Sequence, residues 1–120
     1  MTLKELLDMQ AAFDETHEGK FPWNCKVTDD NIGLLEFLIV SLTGELGETA
    51  NIVKKIARGD FPLEEKKEEL SEEMADMFAY LLKMSYQLDI DLEKAYVQKM
   101  QKNQERFQNY EKKSTGENNN

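Results

Sequence analysis

Two short acidic signatures define the chemistry open to this chain: Glu45-Leu46-Gly47-Glu48 and Glu73-Met74-Ala75-Asp76. A three-residue step returns to nearly the same face of an α-helix, so each signature aims two carboxylates in one direction. Four carboxylates converging from two helices repel one another unless a cation holds them. The pattern therefore predicts a divalent metal site with Glu45, Glu48, Glu73 and Asp76 as ligands. Oxygen-only donors favour Mg2+ or Mn2+. His17 is the sole histidine, so the glutamate-x-x-histidine elements of a ferritin-like di-iron centre are absent. The competing reading is that these are ordinary solvated acids on an acidic protein.

For the two signatures to meet, the helices that carry them must pair. The first helix is predicted from Leu3 to about Glu15, with Thr2 and Glu5 spaced as a capping box. Residues 16–30 read as a loop containing Gly19, Pro22, Asn24 and Asp29-Asp30, with Phe21 and Trp23 as aromatic residues within it. Those rings suit either the open end of a bundle or a ligand pocket. A second helix is expected from near Asp30 to about Arg58. Gly44 and Gly47 within it suggest close packing or a kink, unless they are simply tolerated.

Gly59-Asp60-Phe61-Pro62 ends that helix, with Gly59 suited to the position just past its C-terminus. A third helix follows from Leu63–Lys66 to about Leu88, and Asp89 is expected to cap a fourth that ends near Phe107. If the second and third helices run antiparallel about this break, the signatures lie at matching heights. Glu48 is 11 positions before Gly59 and Glu73 is 11 after Pro62, with a rise of about 1.5 Å per residue. That register makes the pattern far more specific than two isolated acidic pairs.

Helical periodicity throughout, with no strand pattern, predicts an all-α fold: an antiparallel bundle of about four main helices, completed by oligomerisation. The expected domain spans residues 1–110, followed by a flexible polar tail over 111–120. The long second and third helices leave apolar surface for the outer helices and for a partner subunit.

A further polar stripe, Lys99, Asn103 and Arg106, recurs at steps of four and three on the fourth helix. Lysine and arginine hold phosphate charge, and asparagine both donates and accepts. Lys54, Lys55 and Arg58 form another group suited either to phosphate or to the negative end of their own helix.

The chain has 120 residues and a formal net charge of −9, with a pI near 4.6. Such a surface repels phosphate backbones, which argues against a nucleic-acid polymer as partner. A small phosphorylated substrate stays open, because a bound cation reverses the local field. Cys25 is the only cysteine, so no intrachain disulfide forms. No apolar run approaches the roughly 20 residues that span a bilayer, and a cytoplasmic location is the default expectation.

Taken in order, these residues resemble the MazG-type nucleotide pyrophosphohydrolases of the all-α NTP pyrophosphatase superfamily. The matching pieces are Gly44-Glu45-Leu46-Gly47-Glu48 with Asn51 and Lys54-Lys55, then Glu72-Glu73-Met74-Ala75-Asp76 with Tyr80-Leu81-Leu82. Asp89-Ile90-Asp91-Leu92-Glu93 and the segment Lys99-x-x-x-Asn103-x-x-Arg106-Phe107 complete them. The resemblance covers about residues 30–108. It implies Mg2+ held by Glu45, Glu48, Glu73 and Asp76, with one carboxylate, such as Glu48, orienting or deprotonating water. It also implies cleavage of a nucleoside or deoxynucleoside triphosphate between the α and β phosphates, giving monophosphate and pyrophosphate. Lys99 and Asn103, with Arg106 beside them, take the substrate-contact positions; Lys54 and Trp23 are further candidates. Homodimers or homotetramers are the implied assemblies. The alternative from a different class is a noncatalytic helical oligomer with a regulatory or interaction role.

Overall fold

Four main helices, and no strand among the described residues, make up the protein; the computed structural model describes residues 1–17 and 22–110. Helix α1 spans Leu3–Glu15, α2 Gly33–Ala57, α3 Leu63–Gln87 and α4 Leu92–Arg106. Short 3-10 turns lie at Asp29–Asn31 and Gln108–Tyr110. Gly19 and Phe21, and the tail over 111–120, lie outside the described residues.

Two compact units divide the chain, Met1–Ile90 and the part from Asp91 onward. In the first, α1 and α2 both pack against α3. The α1 start is fixed by the expected capping box: Thr2 accepts from the Glu5 backbone and Glu5 from the Thr2 backbone. The α2–α3 turn works as anticipated, with Gly59 at φ 92°, a left-handed conformation that costs a residue without Cβ little. Pro62 then stands at the N-cap of α3.

Two expectations need correction. Asp91, not Asp89, caps α4: its side chain accepts from the Lys94 backbone at 3.0 Å. Asp89 instead adopts φ 55°, a region that the short polar side chains of Asp and Asn tolerate better than most, just past the end of α3. Nor do Gly44 and Gly47 mark close packing inside the subunit, since a Cβ at either would meet nothing within 4 Å. Helix α2 also runs unbroken through both.

The apolar stripes are only partly covered. Leu38 and Leu82 are the buried apolar side chains among the described residues, whereas Val40, Leu46 and Met74 are each more than half exposed. Burial concentrates at the C-terminal half of α3, where Lys83, Ser85 and Gln87 go inside together with Asp14 of α1.

The segment before α2 is fastened to that end of α3. Val27 N–H donates to the Gln87 carbonyl at 2.8 Å, and Gln87 Nε2 donates to the Trp23 carbonyl at 2.6 Å. Lys26 Nζ donates to the Tyr86 carbonyl at 2.6 Å and to Asp89 at 2.8 Å. These bonds hold the Trp23 backbone at that end of α3, and its ring meets Phe37 of α2 edge-on at 6.3 Å.

The second unit contains α4 and the 3-10 turn behind it. Lys99, Asn103 and Arg106 lie on α4, with Arg106 over the Phe107 ring at 4.9 Å. Asn103 lines a hollow there with Met100, Gln104, Phe107 and Tyr110.

Candidate metal centre

Helix pairing brings the two acidic signatures together as the register requires. Glu45 of α2 and Glu73 and Asp76 of α3 each offer a carboxylate oxygen, and these oxygens lie within 4.8 Å of one another. Glu48 falls outside that trio but reaches Glu73 from one turn further along α2. Hydrogen bonding to Glu45 comes first, then burial, then Glu48, and together they push the Glu73 carboxyl up to about 7. The cause is plain: like charges this close favour the form that keeps a proton.

Once that proton leaves, nothing among the described residues replaces it. Glu45 Oε2 and Glu73 Oε2 are both buried with no hydrogen-bond partner. Buried polar atoms without partners are rare in folded proteins and costly. Hard anionic oxygens, close together and lacking donors, fit a hard divalent cation. Mg2+ matches this donor set, since it takes few carboxylates and keeps positions for water and phosphate.

Glu45 and Asp76 also border a cavity of about 310 Å3, at the low end of the roughly 300–1,000 Å3 usual for small-molecule sites. Phe13, Trp23 and Tyr80 give it aromatic walls, and Gln10, Asp14 and Lys83 supply polar groups. Its polar end is a buried network around Asp14. Lys83 Nζ donates to Asp14 Oδ1 at 3.0 Å and Gln10 Nε2 to the same oxygen at 3.1 Å. Tyr86 donates its hydroxyl to Asp14 Oδ2; burial, then this bond, raises the Tyr86 pKa. Lys83 Nζ also stands 4.7 Å from the centre of the Trp23 ring.

Of the residues singled out from sequence, Glu45, Glu73 and Asp76 meet, Glu48 touches them, and Trp23 lines the adjoining cavity. Lys54 is exposed in the last turn of α2 and borders neither the trio nor the cavity. Asp14, Lys83, Gln10 and His17 were missed. His17 lines the cavity too, its Nδ1 bonded to the Phe13 carbonyl at 2.7 Å.

The MazG nucleotide pyrophosphohydrolase domain matches residues 35–110, covering both acidic signatures and α4. The chain belongs to the MazG family. Among curated proteins it is similar to the Gene 37 protein of Mycobacterium phage L5, 36% identical over 63 residues. That alignment covers 51% of this chain and 55% of the relative, so the chain spans about half the length of the protein it matches. No solved structure gives a significant match. Membership places the acidic cluster in a hydrolase-type family that acts on nucleotides. No helix among the described residues is long and apolar enough to cross a membrane.

Proposed function

We propose that this MazG protein is a Mg2+-dependent nucleoside triphosphate pyrophosphohydrolase, cleaving between the α and β phosphates to release a monophosphate and pyrophosphate. One observation carries the reading: the donorless oxygens of Glu45 and Glu73 lie beside Asp76, at the edge of an aromatic-walled cavity. Glu45, Glu73 and Asp76 hold the cation, with Mn2+ an effective substitute. Bound there, the cation neutralises phosphate charge and lowers the pKa of water.

The remaining roles fall to the chain's own groups. Glu48, in contact with Glu73 but outside the trio, orients the attacking water or takes its proton. Phe13, Trp23 and Tyr80 receive the base while the triphosphate extends toward the carboxylates. Lys99, Asn103, Arg106 and Lys54 stay candidates for phosphate contact on the family resemblance alone. Exposed Val40, Leu46 and Met74 on the helices that carry the acidic signatures, with open space over Gly44 and Gly47, support assembly as a homodimer or homotetramer. The net charge of −9 favours a small nucleotide over a nucleic-acid polymer, and the working location is the cytoplasm.

The test is a panel of canonical and modified triphosphates with and without Mg2+, with nucleotide products and pyrophosphate resolved together. The expected result is metal-dependent monophosphate and pyrophosphate. Diphosphate with inorganic phosphate would reject the cleavage site. No turnover by a folded oligomer would favour a noncatalytic regulatory or interaction protein.

A further inference from the structure

Trp23 walls the cavity from a segment that has no regular structure of its own. Residues 22–28 form neither helix nor strand, so no ladder of backbone bonds fixes where the Trp23 ring stands. The fixing comes from the last turn of α3. Gln87 is 2% exposed, and a buried amide is costly unless its groups are paired. Its Nε2 donates to the Trp23 carbonyl at 2.6 Å, and its backbone carbonyl accepts from the Val27 N–H at 2.8 Å. One residue thus grips the segment on both sides of Cys25. The Tyr86 hydroxyl adds a longer contact to the Trp23 carbonyl at 3.4 Å. Lys26 closes the clasp from outside, with Nζ 2.6 Å from the Tyr86 carbonyl and 2.8 Å from Asp89. Gln87 itself does not border the cavity.

From this we infer that Gln87, assisted by Lys26, is the positioning residue for the aromatic wall of the cavity. It touches no ligand, yet it sets where the Trp23 ring stands and so how tightly the cavity holds a nucleotide. The reason is geometric. Tryptophan has few side-chain torsions, so fixing its backbone leaves the ring few placements. Phe37 edge-on and the Lys83 ammonium 4.7 Å from the ring centre narrow them further. A side chain of similar length but without an N–H would leave the Trp23 carbonyl without its buried donor, which favours release of the segment toward water. The effect on affinity rests on the nucleotide reading proposed above; the placement of the ring does not.

Trp23 is the only tryptophan, so fluorescence reports its ring directly. Wild type, Gln87→Met and Lys26→Met would be compared as full chains, free of metal and nucleotide. Gln87→Met should move the emission to longer wavelength and make it more readily quenched by acrylamide. Lys26 is exposed, so Lys26→Met spares the interior; it should act in the same direction to a smaller extent, and it decides the matter where Gln87→Met does not fold. Calorimetry with Mg2+ would then measure α,β-imido analogues of dATP, dCTP, dGTP and dTTP, none cleavable at the proposed bond. The analogue that wild type binds tightest should bind Gln87→Met about fivefold more weakly, while Mn2+ uptake matches wild type. Emission and quenching unchanged in the folded variants would overturn the inference. So would wild-type affinity in a variant whose emission has moved, or Mn2+ uptake falling in step with nucleotide binding, which marks general loosening. Wild type that binds none of the analogues would sink the nucleotide reading alone, and the quenching comparison would still decide whether Gln87 positions Trp23.

Discussion

Asp14 and Glu45 border the same cavity, and the fold treats their carboxylates in opposite ways. Asp14 is 2% exposed and receives donors on both oxygens, from Lys83, Gln10 and Tyr86. Glu45 keeps one buried oxygen with no donor, as does Glu73, which leans on Glu45 and Glu48. The chain thus has the means to satisfy a buried carboxylate and applies them at one end of the cavity only. At the other end it gathers acids from α2 and α3 and leaves their charge uncompensated. The uncompensated acids form a cluster capable of holding a divalent cation.

The comparison breaks most severely if Asp14 is truncated. Asp14→Ala strands the Lys83 ammonium inside the protein, and losing one member of a buried pair costs about 3–5 kcal/mol. Urea unfolding should show a loss of that size. A negligible loss would mean Asp14 and Lys83 are better hydrated than their burial indicates.

At the acidic end the same kind of substitution should act in reverse. Asp76→Asn is expected to lower Mg2+-dependent hydrolysis by about 100-fold or more, with helical content by circular dichroism unchanged. In metal-free protein Glu73→Gln should raise the melting temperature, because it removes one of the repelling charges. A drop would show that the cluster is internally satisfied.

A smaller effect is expected from Tyr86→Phe, which removes one of the donors to Asp14 and leaves the others. A hydrogen bond to a charged group contributes about 1.5–3 kcal/mol, and chemical denaturation would measure the loss. Metal binding should not change.

The mildest probe is pH. Glu73 is raised from 4.5 to about 7, so between those values the folded metal-free protein binds more protons than the unfolded chain. Its stability should then fall as pH rises through that window and level off above it. Saturating Mg2+ should flatten or reverse the slope, because the cation competes for the same oxygens. Melting curves from pH 4.5 to 8 with and without Mg2+ would show whether the slopes differ.

The acidic end was legible in the sequence because its information is local. A three-residue step fixes each carboxylate pair, and equal distances from the turn at Gly59–Pro62 fix their common height. Helix α1 was legible through Thr2 and Glu5 for the same reason. The polar end was not, since Asp14 and Lys83 meet across 69 positions and each alone resembles a solvated side chain. A usable signal existed: Lys83 and Ser85 interrupt the apolar run of α3, and Asp14 follows Phe13 one turn after Gln10. Asp89 and Asp91 are the same residue type two positions apart, so composition could not choose the cap. The backbone decides it, with Asp91 extended and Asp89 left-handed.

The most direct measurement is a Mn2+ titration followed by electron paramagnetic resonance, which reads free Mn2+ as the protein takes it up. Wild type, Glu73→Gln and Tyr86→Phe would be compared at pH 8, where Glu73 is ionised. The account predicts saturable binding by wild type and Tyr86→Phe alike, and affinity weakened by about tenfold or more in Glu73→Gln. Absence of saturable binding, or equal binding by all three, would contradict the claim that the donorless carboxylates of α2 and α3 form a cation site.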